Sequence, residues 1–248
     1  MDILVIGGGG REHAIIRKIK ESPLCGKVYC APGNGGIAAD AECIPSVKAT
    51  DVEGAVRLAQ EKKVGFVIVA PDDPLVLGMV DALEAAGIPA FGPRKNAAIL
   101  EGSKAFAKDL MKKYGIPTAA YEIFTDAEAA IAYVRAQNAY PTVIKADGLA
   151  LGKGVIIAQS EQEAVTAIRD MLEGGRFGDS GRRIVVEQFL SGPEVSVLAL
   201  TDGEVVRPLC SSMDHKRALD NDEGLNTGGM GTIAPNPAYT DEVAAKAM

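Results

Sequence analysis

The chain has 248 residues, of which 47% are hydrophobic, 24% charged and 5% aromatic, with 28 Gly, 13 Pro and no Trp. That mixture excludes a disordered, collagen-like or coiled-coil chain. The net charge of −7 argues against a sequence-independent nucleic-acid binder, which needs a basic surface to displace counterions.

Ile3–Ile6 reads as an apolar strand, followed by glycines and a helix from Arg11 to Lys20. Lys27–Cys30 reads as a second strand that ends in the loop Ala31–Gly36. Thr50 and Glu53 have the spacing of a capping box, which predicts a helix running to Lys62. Phe66–Ala70 is a buried strand stopped by Pro71, Leu75–Ala86 a helix ended by Gly87, and Ala90–Phe91 the start of another strand. Strands separated by helices of this length imply right-handed βαβ units on a parallel sheet. The expected fold class is therefore α/β, with a doubly wound parallel-sheet domain over residues 1–95.

A linker over residues 96–120 carries a predicted helix, 97–114, that ends at Gly115-Ile116-Pro117. After it the grammar changes to α+β. Tyr121–Phe124 is a strand, and Thr125 with Glu128 caps a helix to Gln137. Thr142–Lys145 and Val155–Ala158 are strands flanking the glycine-rich stretch 147–154, and Ser160 with Glu163 caps the next helix. Ile184–Phe189 and Val195–Thr201 are strands. Asp202-Gly203 has the composition of a two-residue primed turn leading into a strand over Glu204–Leu209.

The longest apolar stretches are strand-sized, well short of the ~20 residues of a membrane span, and the amino terminus lacks the basic region of a secretory signal. A cytoplasmic protein without membrane or nucleic-acid partners is expected. The four cysteines (25, 30, 43 and 210) form no CxxC pair and have no neighbouring histidine, so they read as plain thiols. With only His13 and His215, and no G-x-S-x-G elbow, a serine hydrolase has little to build on.

The opening glycines Gly7–Gly10 invite a dinucleotide reading, but the register fails. Starting G-x-G-x-x-G at Gly7 places Glu12 third, starting at Gly8 places His13 there, and no acid lies between Ser22 and Ala39 to hold a ribose. A phosphate or anion loop, or a plain tight turn, remains. The second cluster, Gly148 to Gly154, is not a Walker A loop, because only Leu149-Ala150-Leu151 separates its outer glycines and Gly154 stands where Ser or Thr would hold Mg²⁺. With Lys145 before it and Lys153 at its tip, it suits a triphosphate lid as well as it suits a plain hairpin. Val185–Leu190 and Glu194 suit an adenine edge and a ribose hydroxyl, and equally a plain core strand followed by an exposed carboxylate. Asp214-His215-Lys216-Arg217, followed by Asn226–Gly231, suits either a small polar substrate or a solvated charge run.

Taken together, GGGGREH, APGNGG, LEGSKAF, KADGLALGKGV, VEQFLSGPEVS, DHKR and NTGGMG, in that order, resemble the phosphoribosylamine–glycine ligase (glycinamide ribonucleotide synthetase) family, ATP-grasp enzymes of purine synthesis. The resemblance runs from Met1 to Pro235. It implies an α+β ATP-grasp domain after the parallel-sheet domain, with a first lobe over 121–190 and the start of a second over 191–248. It implies a reaction in which glycine, activated by ATP as glycyl phosphate, is joined to 5-phosphoribosylamine. Lys104, Lys145, Gly152, Lys153 and Gly154 would meet the nucleotide phosphates. Glu187, Phe189 and Leu190 would hold adenine, and Glu194 the ribose. Gly9, Gly10, Arg11 and Glu12, with Asp214, His215, Lys216, Asn226, Thr227, Gly228, Gly229, Met230 and Gly231, would line the phosphoribosylamine and glycine pocket. The general base is not assigned.

Family members are longer, and their Mg²⁺ or Mn²⁺ ligands lie in Glu-x-Asn and Arg-Phe-Gly-Asp-Pro-Glu segments that do not occur here. The second lobe is thus expected to be incomplete, the metal ligands to lie beyond Met248, and this chain alone to be inactive. A monomer or weak homodimer is expected. Two other readings stay open beside this one: an ATP-grasp ligase for a different acid, and a non-catalytic nucleotide-binding module. An NAD-dependent oxidoreductase rests on the opening glycines alone.

Overall fold

The computed structural model describes residues 1–149, 154–175, 178–227 and 229–248. It divides into two units, one of Met1–Thr118 with Asp147–Leu149 and one holding the rest.

The first unit runs β1 (Ile3–Gly7), α1 (Gly10–Ile19), β2 (Val28–Pro32), β3 (Glu42–Cys43), α2 (Val52–Glu61), β4 (Phe66–Val69), α3 (Asp72–Leu77), α4 (Met79–Ala85), β5 (Ala90–Phe91), α5 (Lys95–Gly102) and α6 (Lys104–Tyr114). The strands form one parallel sheet in the order β3-β2-β1-β4-β5. Side chains alternate along β1. Leu4 and Ile6 pack with Leu58 of α2 and Met79 and Leu83 of α4, while Ile3 and Val5 pack with Ile16 of α1. Helices on both faces and a central β1 make the sheet doubly wound, as the βαβ pattern requires. Each fully buried aliphatic side chain contributes roughly 1.5–3 kcal/mol.

Several boundaries differ from the sequence expectation. The helix expected over Leu75–Ala86 is two, because Gly78 adopts φ +92° between α3 and α4. The helix expected over 97–114 breaks at Ser103, whose extended backbone lets its hydroxyl cap α6 by accepting from Phe106 N–H at 3.1 Å. The cap of α2 is Asp51 rather than Thr50, since the Asp51 carboxylate reaches Gly54 N–H at 2.9 Å. Ionised carboxylates make the stronger cap.

The second unit opens with β6 (Tyr121–Phe124), α7 (Ala127–Gln137), β7 (Thr142–Ala146), β8 (Val155–Ala158), α8 (Glu161–Leu172) and β9 (Ile184–Gln188). These strands form an antiparallel sheet in the order β6-β9-β7-β8. Ile144, Ala146, Ile184 and Val186 face α7 and α8, packing on Ile131, Val134, Ile168 and Met171. By alternation Val143, Lys145, Val185 and Glu187 share the opposite face. The cap of α7 is Asp126, accepting from Ala129 N–H at 2.8 Å, and not Thr125. Ser160 caps α8 as expected.

The remaining elements are β10 (Ala199–Thr201), β11 (Val206–Pro208), β12 (Met213–Asp214), β13 (Arg217–Leu219), β14 (Glu223–Asn226), β15 (Thr232–Ile233) and α9 (Asp241–Ala247). They pair as β10-β11, β12-β15 and β13-β14. The turn expected at Asp202-Gly203 is a longer loop, Asp202–Val205, because Thr201 pairs with Val206. The Asp202 carboxylate organises it by accepting from the N–H groups of Glu204 and Val205. Among the described residues no helix is long and apolar enough to cross a membrane.

Candidate functional site

In a doubly wound sheet the crevice lies beyond the carboxyl ends of the strands where the order reverses, here between β1 and β4. Gly8–Arg11 follow β1 and Ala70–Asp72 follow β4. Arg11 spans the gap, its Nη1 3.4 Å from Ala70 O and 3.8 Å from Asp72 Oδ1. The loop after β2 closes the third side. Asn34 Nδ2 donates to Gly8 O at 2.7 Å, and Gly33 N–H donates to Gly7 O at 3.1 Å. Gly9, Gly10 and Arg11 are exposed at the rim. The start of a helix beside a guanidinium suits a phosphate.

Glu12, assigned to the same pocket from sequence, turns inward. It is buried, and its Oε2 accepts from Gly9 N–H at 2.5 Å. It shapes the loop by holding the amide at the start of α1, and a Cβ on Gly7 would meet its side chain at 2.6 Å.

Behind this loop His13 Nε2 lies 2.9 Å from Asp40 Oδ2, and Lys20 Nζ lies 3.2 Å from Asp40 Oδ1. The His13 hydrogen bond, then Lys20, holds the Asp40 carboxyl below the usual carboxylate range. Cys30 donates to Gly7 O at 3.3 Å, and burial pushes its thiol up to about 12.

At the start of α6, Lys104 Nζ donates to Gly148 O at 2.8 Å. Asp147 accepts from Ala105 N–H at 2.7 Å and from the Ser103 hydroxyl at 3.0 Å. Ser103 and Asp147 were not singled out from sequence. Their signal is the buried polar pairing, which spans 44 positions of chain and has no local pattern.

In the second unit Lys145 Nζ lies 2.9 Å from Glu187 Oε2 on the sheet face turned away from the helices. Phe189 and Leu190 follow and are exposed. A cavity of about 480 Å³ beside the end of β9 is lined by Tyr133, Gln137, Tyr140 and Thr142 as well as by Glu187 and Phe189. Gly154 begins the return of the glycine-rich stretch, its carbonyl accepting from Ala146 N–H at 2.8 Å. Gly152, Lys153 and Gly228 lie outside the described residues.

The two polar motifs of the second unit are brought together. Asp214 pairs with Thr232 and Arg217 with Asn226, with His215 N–H donating to Gly231 O and Met230 N–H to His215 O. Thr227 donates from its hydroxyl and its N–H to Lys216 O. Gly229 at φ +113° passes so close to Asp214 that a Cβ would lie 3.0 Å from Oδ1. Lys216 pairs with Glu194 and stands 4.0 Å from Asp214 Oδ2. The ribose candidate and the substrate candidates therefore share one charged cluster. His215, Gly229, Met230 and Gly231 are exposed around it.

Among the described residues no three His, Cys, Asp or Glu side chains converge as a metal site would require.

Residues 1–101 match the family model for the phosphoribosylglycinamide synthetase N domain, and residues 102–248 the model for its ATP-grasp (A) domain. The phosphoribosylamine–glycine ligase of Yersinia pestis is 54% identical over 100% of this chain and 58% of its own length. That of Haemophilus influenzae is 51% identical with the same coverage. The crystal structure of phosphoribosylamine–glycine ligase from Thermotoga maritima is similar at a TM-score of 0.78 and 33% identity, over 94% of this chain and 55% of that one. An ADP complex of N5-carboxyaminoimidazole ribonucleotide synthetase shares the fold, with a TM-score of 0.71 at 20% identity, over 99% of this chain and 60% of that one. The chain spans 58% of the length of these curated relatives.

Proposed function

Because the chain belongs to the phosphoribosylglycinamide synthetase family, we propose that it serves the ATP-dependent joining of glycine to 5-phosphoribosylamine, giving glycinamide ribonucleotide, ADP and phosphate. ATP phosphorylates the glycine carboxylate. The sugar amine then attacks the glycyl carbonyl and phosphate leaves. The observation that carries this reading is the single cluster of Glu194, Lys216 and Asp214, zipped to residues 226–232.

In this reading the domain of residues 1–95 takes the sugar phosphate at Gly9, Gly10 and Arg11, with Glu12 holding the loop. Lys104, Lys145 and Lys153 neutralise the polyphosphate, with Gly152 and Gly154 beside them. Glu187, Phe189 and Leu190, in the first lobe of residues 121–190, hold the base. Glu194 takes the ribose, and the segments 214–216 and 226–231 orient the amine and the amino acid against it. A divalent ion would supply charge neutralisation in such a transfer, and among the described residues no three His, Cys, Asp or Glu side chains converge to hold it. The protein is read as a cytoplasmic monomer or weak homodimer.

A thermal-shift panel of ATP, NAD and ribose 5-phosphate tests the reading, since a ligand at 100-fold its Kd stabilises by ~2.7 kcal/mol. ATP and the sugar phosphate are expected to raise Tm. A rise with NAD and none with ATP overturns it.

A further inference from the structure

Asn236 is the most connected buried polar side chain of the second unit's polar cluster, and it lies outside every motif read from the sequence. It is 3% exposed. Its Nδ2 donates to Glu194 O at 2.8 Å and to Ser212 O at 3.1 Å, using both amide hydrogens. Its Oδ1 accepts from Ala238 N–H at 2.8 Å, and its own N–H donates to Ser211, 3.2 Å from Oγ and from the carbonyl. One side chain thus ties three stretches, around 194, 211–212 and 236–238.

The stretches it ties are those that carry the charged cluster. Glu194 O is the backbone of the residue whose carboxylate pairs with Lys216. Ser212 is bridged to Ser196 and precedes β12, which ends in Asp214. Glu194 is half-exposed at the end of a chain segment, Phe189–Glu194, that is exposed throughout. Its backbone is tied to the stretch before β12 by the Asn236 amide at Glu194 itself and by the Ser196–Ser212 bridge two residues on. A buried amide with its donors satisfied stays in one orientation, because a donor left unpaired inside the fold bears its full desolvation penalty.

We propose that Asn236 is a positioning residue for Glu194: it sets the height of the Glu194 backbone against β12, so that the carboxylate reaches Lys216 and the ribose hydroxyls of a bound nucleoside triphosphate. The proposal rests on the reading of Glu194 given above. It does not place Asn236 against the ligand.

The test is the affinity of the 248-residue chain for ATP against 2′-deoxy-ATP and 3′-deoxy-ATP. The unaltered chain is expected to prefer ATP over one of the deoxy nucleotides by about tenfold, the scale of one hydrogen bond to a charged group. Glu194→Ala should bring that ratio to near one. Asn236→Ala should do the same while its affinity for whichever deoxy nucleotide the unaltered chain binds more weakly stays within about twofold, whereas a general loosening of the fold would weaken all three nucleotides together. Asn236→Asp keeps the shape and the acceptor for Ala238 but removes both donors, so it decides the matter where the alanine variant does not fold. Loss of folding in both variants, or an unchanged ratio in either folded one, overturns the positioning role. If the unaltered chain shows no preference, or Glu194→Ala leaves it intact, the assignment of Glu194 to the ribose falls, and this proposal with it. If Glu194→Ala abolishes the preference and Asn236→Asp does not, only this proposal falls.

Discussion

Lys145 and Glu187 face each other diagonally across β7 and β9, Nζ to Oε2 at 2.9 Å, with the carboxylate side chain only 6% exposed and the lysine 27%. Exposed ion pairs contribute 0–1 kcal/mol, whereas breaking a pair withdrawn from water costs about 3–5 kcal/mol. The partial exposure of Lys145 puts the expectation at the lower end of that range. Lys145→Met should lower the unfolding free energy by about 3 kcal/mol, and adding Glu187→Leu should restore most of the loss. A single-variant loss under about 1 kcal/mol in urea titrations would place the pair among ordinary surface bridges.

The glycine loop rests on one close approach. A Cβ on Gly8 would lie 2.7 Å from the carbonyl oxygen of Gly33, a backbone atom that cannot swing aside. Gly10, two residues on, has nothing within 4 Å of the same construction. Gly8→Ala should therefore push the β1 and β2 loops apart, at an overpacking cost of about 1–3 kcal/mol, and weaken ribose 5-phosphate binding. Gly10→Ala should keep the wild-type Tm, or exceed it slightly, because alanine is the better helix former. Equal Tm and equal sugar-phosphate titrations for the two variants would show that the Gly8–Gly33 approach is not limiting.

These two relationships also show what the sequence could and could not disclose. The parallel sheet was legible because Ile3–Ile6 and Phe66–Ala70 are short apolar runs set between helices. The breaks at Gly78 and Ser103 were not, since a single glycine within an apolar helical period is tolerated and a serine there carries no local sign that it will cap a new helix. Thr50 and Thr125 fit the capping pattern, yet Asp51 and Asp126 follow each and carry the stronger acceptor. The motifs at 214–217 and 226–231 were both visible, but their union depends on strand register, which no local pattern encodes. Glu12 has the residue type of a ligand-binding carboxylate and only the folded loop shows it capping Gly9. Asn236, flanked by prolines, reads as a turn, and its partners lie 24 and 42 positions away.

The thiols should separate by burial. Cys30 is fully buried and its thiol is pushed up to about 12, chiefly by desolvation. At pH 8 about one part in ten thousand is thiolate, the reactive form. Cys210 is exposed, and Cys25 and Cys43 are half-buried. A disulfide-exchange reagent at pH 8 should modify Cys210 first and Cys30 only as fast as the sheet opens. Mass spectrometry of the native protein checks the order. Modification of Cys30 in the first reacting fraction would contradict its placement on β2.

The final prediction concerns acid. Asp40 is held below the usual carboxylate range by the hydrogen bond from His13 first and by Lys20 second. A depressed folded pKa adds stability that is present above the unfolded value, about 3.9 for an aspartate, and lost as pH falls through the folded one. The pair anchors α1 to the stretch after β2, and Gly36 sits 3.5 Å from the His13 ring by its constructed Cβ. Acid should therefore loosen the loops after β1 and β2 before it unfolds the sheet. Lys20 also donates to the Asp40 backbone carbonyl at 2.8 Å, a bond that survives protonation of the carboxyl. Removing the histidine should accordingly raise the Asp40 pKa more than removing the lysine does. Carboxyl ¹³C titrations of His13→Leu and Lys20→Met measure both. A larger rise in Lys20→Met would reverse the order of the two causes, and an unmoved pKa in both would break the link between this cluster and the acid response of the loop.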